Sequence, residues 1–376
     1  MMHKIAGGTL VKSVVFGHRA EIRHDEIERL ASAYGPGEVL RLKDVGGTYN
    51  LNVLLEMRDK MYIVRVYRPW ITYERLAFLH AVKEALARSG LPVALPLATN
   101  TGETMLTYRN SDRNQDDERL AEIEPFIPHD HVADDWPRYT RAFGLMGRLH
   151  QDLASIELAS TPFVAPPVSN YGTPDELVDL TQRGAEAIRQ AMVYMSAAQL
   201  QGAQRALTIC TEALQLLSLL QEWWHKEGER LPKQFTHGDY GGGNILFCQG
   251  QVVGILDFDF LDVRERIFDV AYALFWMFWR LEGIQVPAAL AWSRVRDLLV
   301  SYNAGTSRPL IEQEVWALPG EIACVALYWV AEAYLLTEVG LTANPVETIL
   351  GLADWVAFAR WVLEHREELV TTFAGV

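Results

Sequence analysis

The chain has 376 residues, more than one hydrophobic core usually serves, so a two-lobed unit or two domains are expected. Its apolar share of 49% points to a compact globular protein, and a formal charge of -14 argues against a basic surface that tracks nucleic acid or anionic lipid, while leaving room for a cationic small molecule. Cys210, Cys248 and Cys324 lack zinc or disulfide spacing, the first eight residues lack an apolar signal core, and no charge-free run is long enough for a bilayer, which together predict a cytoplasmic protein without membrane or nucleic acid partners.

In chain order, residues 39–45, 50–57 and 61–67 read as three strands, with Gly46-Gly47-Thr48 and Arg58-Asp59-Lys60 where turns would close the hairpins. After the break at Pro69, Leu76, Leu79, Val82 and Leu86 fall at helical spacing within 73–89, and Gly90 supplies the stop. Short strands are expected at 105–108 and 120–124, separated by a polar stretch that reads as an exposed loop. Beyond Pro128 the pattern turns helical, over 136–154, 174–195 and 197–227. A β segment interrupts it at 244–247 and 252–256 around Gln249-Gly250, and helices then resume to the end. The most apolar run, 322–331, is bounded by Glu321 and Glu332 and predicts a buried helix. The expected fold class is therefore α+β, with a small β-rich lobe over residues 1–127 and a larger, mainly helical lobe over 128–376.

The stretch that carries chemistry is His237-Gly238-Asp239-Tyr240-Gly241-Gly242-Gly243-Asn244, followed after one apolar strand and a turn by Asp257-Phe258-Asp259. Phosphoryl transfer needs an acceptor for a hydroxyl proton, ligands for the metal that bridges the phosphates, and a scaffold that holds them together. An Asp five residues before an Asn supplies the first and one metal ligand from a single loop, and an Asp at the end of the next strand supplies another. Three glycines in between suit a tight turn with close backbone approach.

This series resembles the aminoglycoside phosphotransferase and choline kinase-like family, whose fold is similar to that of protein kinases. The resemblance spans about residues 39–274 and places Gly238 where protein kinases have Arg. It implies ATP and Mg²⁺ as cofactors, Asp239 as catalytic base, and Asn244 and Asp257 as metal ligands. By the same likeness His237 orients the loop, although it also fits a hydrogen-bonded core histidine. Asp259 either assists the metal or holds the loop, and Asp269 supports the catalytic loop. In the N-terminal half, Arg65 stands where relatives carry the lysine that grips the α- and β-phosphates, a substitution that alters contact geometry because a guanidinium is a planar fork. Glu74 is then its expected ion-pair partner, with Glu84 second. Thr48 lies in the hairpin that covers phosphate, and the backbone around Glu124 and Phe126 would pair with adenine.

The acceptor pocket is expected among the C-terminal helices, where Trp276, Trp279, Trp292, Trp316, Trp329, Trp355 and Trp361 concentrate. Glu332, with Tyr328 one turn earlier, is the candidate for binding a substrate amine or hydroxyl. Family members act on aminoglycosides and other antibiotics, homoserine, choline, ethanolamine and sugars, so the resemblance implies a small-molecule hydroxyl acceptor without choosing among these. Two other readings remain at this level: a protein Ser/Thr kinase, against which no Asp-Phe-Gly to Ala-Pro-Glu activation segment is found, and a nucleotide-binding pseudokinase, against which Asp239, Asn244 and Asp257 are all present.

Overall fold

A computed structural model describes residues 19–35, 37–109, 118–156, 162–167, 169–338 and 344–375. The N-terminal eight residues and most of the polar stretch between the strands predicted at 105–108 and 120–124 lie outside the described residues. The chain forms two compact units. The first comprises Met1–His129, Ile156–Pro167 and Val253–Leu256, the second Asp130–Ser155, Val168–Val252 and Asp257–Val376.

The first unit begins with α1 (His24–Tyr34), which precedes every predicted element, and continues through β1 (Val39–Gly46), β2 (Leu51–Met57) and β3 (Met61–Val66) into α2 (Tyr73–Arg88). β4 (Leu106–Arg109) and β5 (Glu118–Pro125) complete a five-stranded sheet in the order β1-β2-β3-β5-β4, antiparallel throughout. Side chains alternate across a strand, so this sheet has two chemically different faces. Leu51, Val53, Leu55, Val64, Val66, Ala121 and Ile123 pack with Ile27, Leu30 and Ala31 of α1. Each buried Val, Leu or Ile among them contributes about 1.5–3 kcal/mol. The alternate positions carry Arg65, Tyr67, Glu122 and Glu124, and α2 meets these with His80 and Lys83. Thr72 caps α2 by accepting the Arg75 N–H at 3.2 Å.

The second unit is mainly helical. After the two-residue strand β6 (His131–Val132) come α3 (Trp136–Leu153), α4 (Pro174–Ala191) and α5 (Ala197–Lys226). The helix predicted over 174–195 ends at Ala191 and gives way to a 3₁₀ turn over Met192–Tyr194. β7 (Lys233–Thr236), β8 (Ile245–Cys248) and β10 (Asp262–Glu265) follow, while β9 (Gln251–Ile255), between β8 and β10 in the chain, has Val253–Ile255 in the first unit. β7 pairs with β10, and β6 with β8. β8 and β9 match the segment expected at 244–247 and 252–256, whereas β6, β7 and β10, defined by partners remote in sequence, have no counterpart among the expected strands. Gln249 and Gly250 both take positive φ, 50° and 75°, in the turn that joins β8 to β9.

The remaining helices are α6 (Ile267–Leu281), α7 (Val295–Ala304), α8 (Glu312–Glu338), α9 (Pro345–Leu350), α10 (Ala353–Glu364) and α11 (Arg366–Phe373). The helix predicted at 322–331 is the middle of α8. Among the described helices, α8 is long and apolar enough to cross a membrane, but most of it is buried against α4, α6 and α10 of this unit. Pro319 interrupts its hydrogen-bond ladder without ending the helix.

Where α3 crosses α7, the backbones approach so closely that only glycine fits. A Cβ on Gly147 would lie 2.1 Å from the Tyr302 carbonyl oxygen, and one on Gly305 would lie 1.9 Å from that of Gly144. Alanine is the better helix former by about 1 kcal/mol in an open helix. Here the clash reverses that sign, and Gly147→Ala is expected to lower stability by about 2 kcal/mol or more in urea unfolding. An unfolding midpoint equal to or above that of the parent would show that the crossing relaxes freely.

Candidate active site

The loop between β7 and β8 carries His237, Asp239 and Asn244, and it is held from beneath by Asp269, in the first turn of α6. The buried Asp269 carboxylate accepts the backbone N–H groups of His237 at 2.7 Å and Gly238 at 2.9 Å, and the His150 Nε2 at 2.9 Å. Burial works to raise its pKa, but the His150 hydrogen bond and the neighbouring imidazoles outweigh it and hold the carboxyl below its ordinary value. His150 in turn meets the Tyr302 hydroxyl with Nδ1 at 2.8 Å.

Gly238 has φ +79°, and a Cβ there would lie 2.2 Å from the Phe260 carbonyl oxygen. The position that is Arg in protein kinases therefore tolerates no side chain in this chain. Of the three glycines ahead of Asn244, Gly242 is the crowded one: a Cβ would meet the Tyr139 hydroxyl at 2.3 Å and the Ala133 carbonyl oxygen at 2.4 Å, whereas one on Gly243 would meet nothing within 4 Å. His237 is fully buried, with its ring 4.7 Å from that of Phe258, and its Nδ1 accepts the Asp239 N–H at 3.2 Å. Its ring is turned into the core and not toward solvent.

Two donors fix the Asp239 carboxylate. Tyr272 of α6 gives its hydroxyl hydrogen to Oδ1 at 2.6 Å, and the Asn244 amide nitrogen reaches Oδ2 at 3.1 Å and the Asp239 carbonyl oxygen at 2.8 Å. Burial first, and then the Asp239 charge, push the Tyr272 phenol well above its usual pKa, so it stays a donor. Tyr272 was not foreseen from sequence, where it is one aromatic residue in an aromatic-rich helix.

Asp257 occupies the left-handed region at φ 65°, ψ 64°. This is uncommon for a residue with a side chain, though Asp tolerates it better than most, and it turns the chain from β9 into a short 3₁₀ turn. Asp259 is buried within that turn. Among the described residues no three His, Cys, Asp or Glu side chains converge into a metal site by themselves. The metal ligands expected from sequence, Asp257 and Asn244, offer a carboxylate and a side-chain carbonyl, and the Asn244 amide nitrogen is turned toward Asp239. Oxygen donors of this kind suit a hard divalent cation that completes its shell with water and phosphate oxygens.

Glu332 is 3% exposed and accepts the Tyr328 hydroxyl at 3.2 Å, while the same hydroxyl lies 2.7 Å from the Ser169 carbonyl oxygen. On the same helix Trp329 meets Trp276, which packs on Tyr272 at 6.1 Å between ring centroids. The tryptophans separate into groups. Trp276 meets Trp279, Trp329 and Trp355 at centroid distances of 5.4, 5.4 and 5.6 Å, one helical turn beyond Tyr272. Trp292 stacks on Trp361 at 5.5 Å, and Trp316 packs on Trp223 beneath Arg366. Only the first group adjoins the catalytic loop's supports.

In the first unit, Thr48 is exposed in the turn after β1, and Arg65 on β3 lies opposite Glu122 on β5. Glu74 stands exposed in the first turn of α2, and the structure does not bring it to Arg65. Glu84 is exposed as well and pairs with Arg88 at 3.8 Å. Phe126 gives its N–H to the Met61 carbonyl oxygen at 3.1 Å, so that donor is spent inside the sheet. Glu124 points inward to Lys83. Sequence reading missed the buried group around it: Glu122 accepts the Tyr67 hydroxyl at 2.6 Å, meets His80 Nε2 at 2.5 Å and lies 3.5 Å from Lys83.

With the geometry in view, the comparisons are as follows. A family model described as "Phosphotransferase enzyme family" matches residues 42–299. A homoserine kinase of Phenylobacterium zucineum is 26% identical over 92% of this chain and 94% of its own length. A microcompartment-associated aminopropanol kinase has a TM-score of 0.59 at 14% identity, over 93% of this chain and 98% of its own. An amicoumacin kinase in complex with AMP-PNP and Ca²⁺ has a TM-score of 0.56 at 15% identity, over 96% of this chain and 92% of its own. The two structural likenesses fix the fold as kinase-like.

Two measurements test this arrangement. Tyr272→Phe removes one charge-assisted hydrogen bond from Asp239 and is expected to lower kcat about tenfold with little change in unfolding midpoint; an unchanged kcat would show that Tyr272 does not hold the carboxylate. For Asp269 the folded pKa lies below the unfolded one, so its stabilisation is complete above the unfolded value and is lost as pH falls through the folded value. Urea midpoints measured from about pH 6 down to 3 should therefore fall less steeply for Asp269→Asn than for the parent.

Proposed function

The chain belongs to the phosphotransferase enzyme family and acts on a hydroxyl, and from that premise we propose that it moves the γ-phosphoryl group of ATP to a small amino-bearing alcohol of the homoserine or amino alcohol kind. The observation that carries this reading is the Asp239 carboxylate, held on both oxygens by Tyr272 and Asn244. A base of this sort must be aligned more than it must be strong, because the transition state is loose and the hydroxyl proton leaves late. Asp239 then orients the acceptor hydroxyl and receives its proton.

Asn244 and Asp257 are the residues that would hold Mg²⁺, with Asp259 beside them in sequence, and the ion would neutralise charge on the phosphates. Arg65 supplies a fixed cation to the phosphate oxygens, and Thr48 and neighbouring N–H groups supply hydrogen bonds to them. Glu332, with Tyr328, is the acid assigned to the acceptor's ammonium group. The amino group of the acceptor is supported by the names of the relatives and by this buried carboxylate near Tyr272.

The test is phosphate transfer from ATP to a panel of homoserine, amino alcohols, aminoglycosides and hydroxyl compounds without an amine. Asp239→Ala should lower transfer by about 10³-fold or more while nucleotide still binds. Transfer that survives this change would overturn the assignment of the base. Transfer to amine-free alcohols alone would overturn the acceptor class.

A further inference from the structure

Resting on the reading that the acceptor is a small amino-bearing alcohol, we infer that it also carries a carboxylate, which Arg264 and the Tyr171 hydroxyl receive with the Glu321 carboxyl group beside them.

Arg264 lies on β10 and is 6% exposed, with its guanidinium over the rings of Tyr171 at 4.7 Å and Phe268 at 4.9 Å. One of its nitrogens is engaged: Nη2 donates to Ser169 Oγ at 2.5 Å and to Asp262 Oδ2 at 3.3 Å. Nε and Nη1 are buried without a hydrogen-bond partner among the described residues, and so are the Tyr171 hydroxyl and both oxygens of Glu321. Buried polar groups are nearly always hydrogen-bonded, and a buried guanidinium left half satisfied is costly. These atoms therefore call for a polar group brought in from outside.

Glu321 is fully buried and is tied to the same place by contacts on both sides of it. A Cβ on the preceding Gly320 would meet the Trp223 ring at 3.5 Å, and the ring of Trp224 lies 6.5 Å from that of Tyr171. Two helical turns further along α8, Tyr328 donates to the Ser169 carbonyl oxygen at 2.7 Å. Residues seven apart share a helix face, so Glu321 is on the side of α8 that faces residues 169–171.

The character of these groups selects an anion. Burial, and then the neighbouring Glu265, push the Glu321 carboxyl up to about 8, so near neutral pH it keeps its proton and can donate it in a hydrogen bond. Burial likewise keeps the Tyr171 phenol protonated. Glu265 itself is held by Lys233 at 3.0 Å. Arg264, Tyr171 and Glu321 thus present N–H and O–H donors around one cation, a set that recognises a carboxylate and not an ammonium.

The neighbours indicate where that carboxylate sits in the acceptor. Ser169 takes Arg264 on its hydroxyl and Tyr328 on its carbonyl, and the Tyr328 hydroxyl is 3.2 Å from Glu332, the acid assigned to the ammonium. A cation and an acid that meet through one residue match the carboxylate and ammonium that an α-amino acid bears on one carbon. Phe268, under Arg264, and Tyr272, on Asp239, are one turn apart on α6, about 6 Å along the helix, with ring centroids at 5.6 Å. A four-carbon hydroxy amino acid has that reach, with its hydroxyl toward Asp239 and its carboxylate toward Arg264.

The experiment compares homoserine with 3-aminopropan-1-ol, which is the same acceptor without its carboxylate, in the full chain and in Arg264→Met and Tyr171→Phe. With ATP, the parent's kcat/KM for homoserine should exceed that for 3-aminopropan-1-ol by about 100-fold or more, since a site built for a polar group rejects the analogue that lacks it. Arg264→Met should bring that ratio to within about threefold of unity. Tyr171→Phe, which removes a single hydroxyl, should lower it about fivefold. Without nucleotide, homoserine should raise the thermal unfolding midpoint of the parent more than 3-aminopropan-1-ol does, and neither variant should keep the full difference. If Arg264→Met does not fold, Tyr171→Phe decides. A parent without preference in either assay, or folded variants that keep the preference, would overturn the inference and leave the donors to internal water. Acetate that stabilises the parent but not the variants, with no preference for homoserine, would also overturn it, marking a site for a free anion and not for the acceptor. Transfer to neither compound, with the homoserine-specific midpoint shift intact, would instead overturn the proposed reaction and leave the carboxylate site standing.

Discussion

Three donors converge on the buried carboxylate of Asp269, two of them consecutive backbone N–H groups of the loop that carries Asp239. A buried charge is tolerated only when it is fully hydrogen-bonded, and the loop supplies those bonds only in one conformation. The carboxylate thus selects the path of residues 237–239, and Gly238 makes the path sterically open. Everything nearer the chemistry inherits that constraint: His237 Nδ1 takes the next N–H, Tyr272 from the same helix as Asp269 takes one carboxylate oxygen, and Asn244 takes the other. α6 therefore supports the loop twice, at positions one turn apart.

The first unit solves a different electrostatic problem by a similar route. One face of its sheet is aliphatic and packs on α1, which leaves the alternate face to carry charge. Because α2 presents Lys83 and His80 to that face, Glu122 and Glu124 can be buried there without standing alone. Removing any single member would leave an uncompensated buried charge, which is more costly than the pair is worth.

The aromatic C-terminal helices owe most of their tryptophans to packing. Trp292 stacks with Trp361 and Phe358 and packs on Phe373, and Trp316 lies under Arg366, far in sequence from the loop residues. Trp276 differs in meeting Tyr272, and Trp279, Trp329 and Trp355 gather around Trp276; Trp279 keeps 46% of its surface exposed.

The sequence by itself located the candidate loop. The order and spacing of His237, Asp239, Asn244 and Asp257 lie within a short stretch and are legible there, although the path of the loop is fixed by Asp269, remote in sequence. It likewise determined the main helices and the three-stranded start of the sheet, whose periodicities are local. Only the tertiary structure decided which acids face inward on β5, that Glu74 and Glu84 do not, that Phe126 spends its N–H on Met61, and that Tyr272 reaches Asp239. Those outcomes depend on strand register and helix rotation, where one residue of slip exchanges buried for exposed, and sequence spacing records neither.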